Sequence, residues 1–300
     1  MIKDIFRSLV AVMFLFLALV VVAYSSNQRE LLKKEHKKVN PLTNYYEGNL
    51  LNKNYNLPIV VIDTNKNTIK KGKETTGKIQ IYDNKSGLNN LKMEPQTVSY
   101  ASFKVRGNST SKYPKKQFSI KLLNKKGKEK EESILGMPKN ASWVLNAPFA
   151  DKSLMRNYIT LNASSHIMGY APKVKFCEVF VLDDGSNNIK KEDYQGVYMM
   201  IEKINRGEDR VDITKTLENR DETSFILAKD RQKPGDIPID TYGKETYIYN
   251  NGINIEYPKK DLTPKKYEYI QNYINEFERM LYSDKFNDPL VGYKKYIDTN

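Results

Sequence analysis

Two segments of alternating side chains, joined by a turn that contains glycine, constrain the fold of this chain more than any other feature. Residues 103–106 alternate between apolar and cationic side chains, and in residues 117–122 the even-numbered side chains are apolar and the odd-numbered ones polar or charged. Successive side chains of a strand point to opposite faces, so the pattern predicts two strands with one apolar face each. Pairing them with those faces toward a core directs Lys104, Arg106 and Lys121 into one polar space.

The turn between these strands, residues 107–111, carries one glycine followed by Asn, Ser, Thr and Ser. Its backbone N–H groups and hydroxyls, together with the neighbouring cations, are typical of a cradle for polyphosphate. An ordinary solvated basic hairpin is the alternative, because charged outer faces are common in antiparallel sheets. The single glycine matches neither a P-loop nor a dinucleotide-binding fingerprint.

Four blocks of sequence carry a resemblance to a known family. They are RGNST (106–110) with PKKQFSIK (114–121), WVLNAPFAD (143–151) with SLMRN (153–157), YQGVYMMIE (194–202), and IEYP (255–258) with the helix after it. In this order they resemble the CotH family, the spore coat protein kinases, and the resemblance covers residues 57–300. It implies an α+β, atypical protein-kinase-like fold, with an N-terminal antiparallel β lobe followed by helices.

The resemblance also implies a reaction and a set of binding residues. It implies transfer of phosphate from ATP, with a divalent metal such as Mg²⁺, to Ser residues of protein substrates of the spore coat or surface type. Arg106, Lys116 and Lys121 are expected to bind phosphate groups, supported by hydrogen bonds from two residues of the turn. The residues expected at the nucleotide are, in chain order, Arg106, Asn108, Ser109, Lys116, Lys121, Arg156 and Glu202.

Several of these roles have alternatives. Arg156 lies off the apolar stripe of a predicted helix, where an arginine is ordinarily solvated. Glu202, which ends an apolar strand, would orient Lys121 or lie near the nucleotide base, and the alternative is a surface pair with Lys203 or Arg206. Asp230 follows another predicted strand and is more typical of a turn than of a metal ligand.

One departure from the family pattern concerns catalysis. In the family, the metal-binding and catalytic aspartates lie in an Asn-x-Asp segment and a Trp-Asp-Phe-Asp-like segment, expected beyond residue 300 of this chain. The only tryptophan is Trp143, so we expect a truncated kinase with little or no transfer activity. The alternative hypothesis is a membrane-anchored, non-catalytic binding module of the spore coat or cell surface.

The net charge, the single cysteine and the two histidines disfavour several classes of function. Lys and Arg number 49 against 36 Asp and Glu, a net charge of +13, which favours acidic partners. No Lys/Arg run is interleaved with aromatic residues, so specific nucleic-acid binding is not expected. Cys177 is the only cysteine and excludes an intrachain disulfide. His36 and His166 share no spacing with it, which disfavours a histidine metal site or a Ser/Cys–His hydrolase.

The N-terminal region predicts a membrane attachment. Residues 9–24 carry no charge and follow Lys3 and Arg7, so residues 5–24 are expected to anchor the chain, with a cleaved secretory signal as the alternative. The poor small-x-small cleavage site favours the anchor, and we expect a single-pass membrane protein with an extracytoplasmic domain. Basic residues on both sides of the span leave its orientation open.

The chain is therefore divided into a membrane anchor or signal (1–25), a juxtamembrane linker (26–56) and a CotH kinase-like domain (57–300). Within that domain, short β-branched runs predict further strands, and two segments carry helical periodicity. The strands are expected at residues 57–63, 78–82, 101–106, 117–122, 174–182, 196–201 and 225–228, with a hairpin at 247–257. The helices are expected from Asp151 or Ser153 to Gly169, and from an N-cap at Thr263 to Leu281.

Overall fold

The structure, a computed structural model, describes residues 50–186, 188–242 and 251–298. Most of the regular structure in this part of the chain is β. The strands are β1 Ile59–Asp63, β2 Thr75–Tyr82, β3 Thr97–Arg106, β4 Gln117–Leu123, β5 Glu132–Ile134, β6 Met137–Asn140, β7 Ser142–Asn146, β8 Val174–Leu182, β9 Tyr194–Glu202, β10 Ile226–Arg231, β11 Pro238–Ile239 and β12 Asn251–Tyr257. The α-helices are α1 Arg156–Ser164 and α2 Pro264–Leu281.

Seven of the strands close into a barrel, in the spatial order β1-β2-β3-β4-β7-β9-β8. Neighbouring strands pair antiparallel except at the seam between β1 and β8, which is parallel and places Val60 opposite Val179. Both faces of β1 are covered, one by the barrel interior and the other by an outer cluster, so its first four residues are buried and its apolar run shows no alternation.

The barrel interior is filled by alternate side chains of its strands. The largest fully buried side chains include Trp143, Tyr198 and Phe103. The interior cluster also includes Val60, Ile62, Ile79, Ile81, Ala101, Val105, Phe118, Ile120, Leu122, Leu145, Cys177, Val179 and Met200. Even-numbered residues of β4 point inward, as the sequence predicts, so its odd-numbered residues lie on the outer face.

Smaller units pack around the barrel. Ile59, Val61 and Phe180 of the seam strands point outward and are covered by residues including Tyr55 and Leu91. A second sheet, in the order β10-β12-β11, packs against α2 through a small cluster that contains Ile255 and Ile270. β5 and β6 form a separate two-stranded sheet.

The predicted fold class, an α+β kinase-like fold with an antiparallel β lobe followed by helices, is wrong. The described residues are mainly β, with two α-helices. The physical reason is that β8 and β9 return to the first sheet and close it against β1 and β7. The expected antiparallel lobe is thus a closed barrel with one parallel pairing.

The predicted membrane attachment is also corrected. Among residues 50–186, 188–242 and 251–298, no helix combines the length and apolar character needed to cross a bilayer. The expected span at residues 5–24 lies outside the described residues. No helix of the described residues supports the predicted N-terminal transmembrane helix or the single-pass membrane location, and neither is retained. The division at residues 25 and 56 stays a prediction.

Local predictions were more successful. β8 has the predicted bounds, and Thr263 caps α2 by accepting a hydrogen bond from the backbone N–H of Lys266, with Pro264 in the first turn. The other helix is shorter than predicted, since α1 begins at Arg156 and ends at Ser164. The hairpin predicted at 247–257 is wrong in its described part, because residues 251–257 form one strand that pairs with β10 and β11.

Candidate functional site

The outer surface of β3, β4 and β7 carries a set of polar and cationic side chains, called here the polar face. It follows from alternation, because the inward residues of these strands fill the barrel. Strand register arranges its members in rows: Arg106 pairs with Gln117 and Lys104 with Ser119, while Lys121 lies opposite the buried Ser102. The polar face consists of Lys104, Arg106, Gln117, Ser119, Lys121, Ser142 and Asn146.

Lys203 extends the polar face by one strand. It follows the last residue of β9, where Glu202 points inward and pairs in register with Trp143. Burial lowers the pKa of Lys203, its charged neighbours Lys121, Lys259 and Lys104 lower it further, and Glu256 opposes the shift. The side chain keeps an exposed surface, so its desolvation is partial. Lysines of the barrel wall therefore lie close to charged residues at the end of β12, in the sheet formed by β10, β12 and β11, called here the C-terminal sheet.

Arg106 faces the same C-terminal sheet. Arg106 is exposed, and the part of it that lies against neighbouring groups loses enough water to lower the pKa of its guanidinium, while the carboxylate of Asp230, near the end of β10, acts in the opposite direction. Asp230 also accepts a hydrogen bond of 2.6 Å from Lys233. The ammonium group of Lys121 lies 3.2 Å from Glu129 in a half-exposed ion pair. In the described residues, no carboxylate lies within 4.0 Å of the charged groups of Lys104, Arg106 or Lys203.

The turn at the end of β3 is tightly organised. Gly107 has a φ of +95°, and a short 3-10 turn follows at Thr110–Lys112. The hydroxyl of Ser111 donates to the carbonyl of Asn108 at 2.6 Å and accepts from the ammonium group of Lys71 at 3.1 Å. Asn108 is half-buried and Ser109 is exposed, and both lie at the edge of the polar face because they follow Arg106 by two and three residues.

The two consecutive lysines before β4 point in different directions. Lys116 is even-numbered, like the residues of β4 that point inward. It lines a pocket of about 410 Å³ with Asp183, Lys190 and Asp193. Its ammonium group donates to the carbonyl of Ser111 at 2.9 Å. Lys116 is thus placed at the mouth of the barrel and not with Lys121 on the polar face.

Lys115 lies against β9. Its ammonium group donates to the carbonyl of Val197 and lies 4.6 Å from the centre of the Tyr198 ring. Burial lowers the pKa of Lys115, and the nearby carboxylate of Glu178 partly offsets the shift. Tyr198 in turn donates from its hydroxyl to the carbonyl of Lys116 at 2.9 Å. These contacts attach the turn to the barrel wall.

Helix α1 is joined to the polar face through its first residues. The amide of Asn157 donates to Asn146 at 3.2 Å, and Asn146 donates to Gln117 at 3.0 Å. Asp151 accepts from the backbone N–H of Arg156 at 2.9 Å and lies 3.7 Å from its guanidinium. Arg156 itself is 85% exposed. Its helix is therefore fixed beside the polar face, while its side chain projects into solvent.

Glu202 points away from the polar face into the end of the barrel. Its carboxylate lies 2.7 Å from Arg210, and the two side chains are 0% and 1% exposed. The carboxylate also accepts from the backbone N–H of Lys173 at 3.0 Å. Burial, followed by the charge of Glu202, raises the pKa of Tyr170 to about 12. Glu202 thus pairs with Arg210, and not with the lysines or Arg206 considered from sequence.

The structure brings only some of the sequence-predicted residues together. Arg106 and Lys121 share the polar face, with Asn108 and Ser109 at its edge, whereas Lys116 and Glu202 point into the barrel. Arg156 lies beside the face. Sequence reasoning missed Lys203, although the alternation of β9 continues through it and places it outward.

The described residues contain no group of three or more His, Cys, Asp or Glu side chains able to hold a metal ion. Glu129 is held in its ion pair with Lys121, and Asp230 and Glu256 are the acidic groups that influence Arg106 and Lys203. Two carboxylates on separate strands, already paired with Lys233 and Lys259, do not make a Mg²⁺ site. The described residues do not fit the metal that the resemblance implied.

Replacement of Gly107 by Ala should lower the free energy of unfolding by about 1–3 kcal/mol. The φ of Gly107 is one that alanine adopts poorly, and its Cβ would lie 2.0 Å from the hydroxyl oxygen of Thr110. Gly87→Ala is the matched control, because Gly87 has a φ of +79° and no atom within 4 Å of the added Cβ. Urea denaturation measures both. Equal losses would show that the contact with Thr110 is unimportant.

A comparison with protein families identifies the class of protein that carries this barrel and polar face. The family model described as CotH kinase protein matches residues 103–300. This chain belongs to the CotH kinase protein family. The match begins in β3 and includes the polar face, Lys203, the C-terminal sheet and α2. A search of curated proteins found no match.

Proposed function

We propose that this chain binds ATP on its polar face and acts as a CotH-like protein kinase on Ser residues of spore coat or surface proteins. The observation that carries the proposal is the set of cations on one surface. Lys104, Arg106 and Lys203 have no carboxylate of the described residues within ion-pair distance. Like charges held together in a partly desolvated place are stabilised by a bound anion.

A row of apolar side chains lies beside these cations. Ser119 pairs with Val144, Val144 pairs with Ile201, and Ile201 pairs with Val174, so three apolar side chains continue the row that starts at Lys104. Val144 and Val174 are 6% and 4% exposed, so other parts of the chain already cover this row, and the choice of a nucleotide over a simple anion is proposed from family membership. Since the described residues do not fit Mg²⁺, no step of the proposal is assigned to a metal.

The protein substrate is proposed from family membership. A kinase positions the hydroxyl of its substrate in line with the transferred phosphate, and a net charge of +13 favours acidic segments around that hydroxyl. The alternative is a non-catalytic binding module of the coat or surface. Incubation with ATP and coat proteins, followed by mass spectrometry of their Ser residues, separates the two: binding of ATP without phosphoserine supports the module.

ATP affinity should fall about tenfold in Arg106→Ala and in Lys121→Ala, because each change removes a charge-assisted contact of about 1.5 kcal/mol or more. Isothermal titration of the full chain with ATP measures this. Lys92→Ala is the matched control, since Lys92 is an exposed lysine in the loop between β2 and β3. Equal affinity in all four proteins would remove the polar face as the binding site.

A further inference from the structure

The pairing of neighbouring strands gives Lys203 a defined position in the barrel wall. Lys121 pairs with Ser142, and the neighbouring residue of β7, Trp143, pairs with Glu202. One step along the same register therefore brings Ser142 opposite Lys203. Neighbouring strands lie about 4.8 Å apart, so the backbones of Lys121 and Lys203 are separated by about 10 Å across β7. Alternation along β4 and β9 directs the side chains of Lys121 and Lys203 to the outer face of the barrel, on either side of Ser142.

The backbone of Lys203 is held in place by its buried neighbour. Glu202 binds Arg210, and the Arg210 guanidinium also donates to the carbonyl of Pro138 at 3.3 Å and lies 5.1 Å from the centre of the Trp143 ring. The pair thereby attaches the end of β9 to β6 and β7. A buried, hydrogen-bonded pair of this kind limits the motion of the residues beside it.

The loop after Lys203 is also closed on itself. Gly207 donates from its backbone N–H to the carbonyl of Val211 at 3.1 Å, and Val211 donates to Asn205 at 3.1 Å. The guanidinium of Arg206 donates to the carbonyl of Ile213 at 3.0 Å. Lys203 thus lies at the base of a compact loop, and its amine reaches the polar face from a fixed point.

We propose that Lys203 is a binding residue of the polar face that selects linear polyphosphates over single phosphate groups. This inference rests on the proposed function and deepens it. Lys104, Lys121 and Lys203 lie on three different strand positions around Ser119 and Ser142. Cations spaced across three strands can each bind separate oxygens along a chain of three phosphates, whereas a single phosphate group must draw all of them to one point. The same chemistry is offered by the triphosphate of ATP and by inorganic tripolyphosphate.

The test is a titration of the full chain with ATP, tripolyphosphate and inorganic phosphate, in the unaltered protein and in Lys203→Gln. We expect Lys203→Gln to weaken ATP and tripolyphosphate about tenfold and inorganic phosphate less than about twofold. Lys203→Arg should restore most of the affinity, because it keeps the charge. Lys92→Gln is the control for loss of a lysine elsewhere. Salt should weaken tripolyphosphate binding less steeply in Lys203→Gln.

The outcomes separate this inference from the proposed function. If ATP binds and Lys203→Gln matches Lys92→Gln, the inference is overturned and the proposed function stands. If tripolyphosphate binding depends on Lys203 but ATP does not compete with it, the polyphosphate site stands and the ATP proposal falls. If Lys203→Gln loses affinity for all ligands equally, selection for polyphosphate is overturned. If the unaltered protein binds neither polyphosphate, both are overturned.

Discussion

Replacement of Glu202 by Gln should lower the free energy of unfolding by about 3–5 kcal/mol. The substitution keeps the size of the side chain but leaves the Arg210 charge without a counterion where only 1% of that side chain is exposed. Burial of an uncompensated charge costs far more than the loss of one hydrogen bond. Urea denaturation, followed by circular dichroism, measures the change.

A surface pair of nearly the same length serves as the matched control. Lys190 and Asp184 lie 2.6 Å apart, with exposures of 50% and 42%, so Asp184→Asn should cost about 0–1 kcal/mol. The double variant Glu202→Gln/Arg210→Met should recover much of the loss, because no buried charge remains. The explanation fails if Glu202→Gln costs no more than Asp184→Asn.

Replacement of Trp143 by Ala should lower the free energy of unfolding by about 3–5 kcal/mol. Trp143 is 0% exposed in the barrel interior, and its indole N–H donates to the carbonyl of Asn140 at 2.9 Å. The substitution leaves a large cavity, removes the aromatic surface under Arg210 and leaves that carbonyl without its donor. Urea denaturation at constant pH measures the loss.

Two variants test the physical reason. Trp143→Phe keeps an aromatic ring in the barrel and should cost clearly less than Trp143→Ala, while Tyr282→Ala removes an aromatic side chain that is 69% exposed and should cost less than about 0.5 kcal/mol. The effects of Trp143→Ala and Arg210→Met should not add, since the two side chains are in contact. Additive losses would contradict the cation–π contact.

Local sequence patterns predicted much of the β structure but not its closure. Alternation located β3 and β4, and a β-branched run gave the bounds of β8, because these signals depend on neighbouring residues. The pairing of Val60 with Val179 joins segments that are far apart in sequence. Nothing in the composition of either segment specifies its partner, and so an open antiparallel lobe was expected in place of a barrel.

The candidate site was predictable to the extent that alternation determines it. Arg106 and Lys121 share a face as expected. Lys116 is five residues before Lys121, and an odd spacing within an extended segment places two side chains on opposite faces. The same rule would have assigned Lys203 outward and Glu202 inward. The partner of Glu202 was not predictable, because Arg210 lies in an irregular loop and only the folded conformation of that loop brings it to Glu202.

The parallel seam has a consequence for synthesis of the chain. As the nascent polypeptide leaves the ribosome, β2 can pair with one edge of β1 almost at once, but the other edge must wait until β8 has been made. During that delay a short, strongly apolar strand presents unpaired backbone groups to its surroundings. Slow translation between these two strands therefore prolongs the period in which neighbouring nascent chains can join through β1.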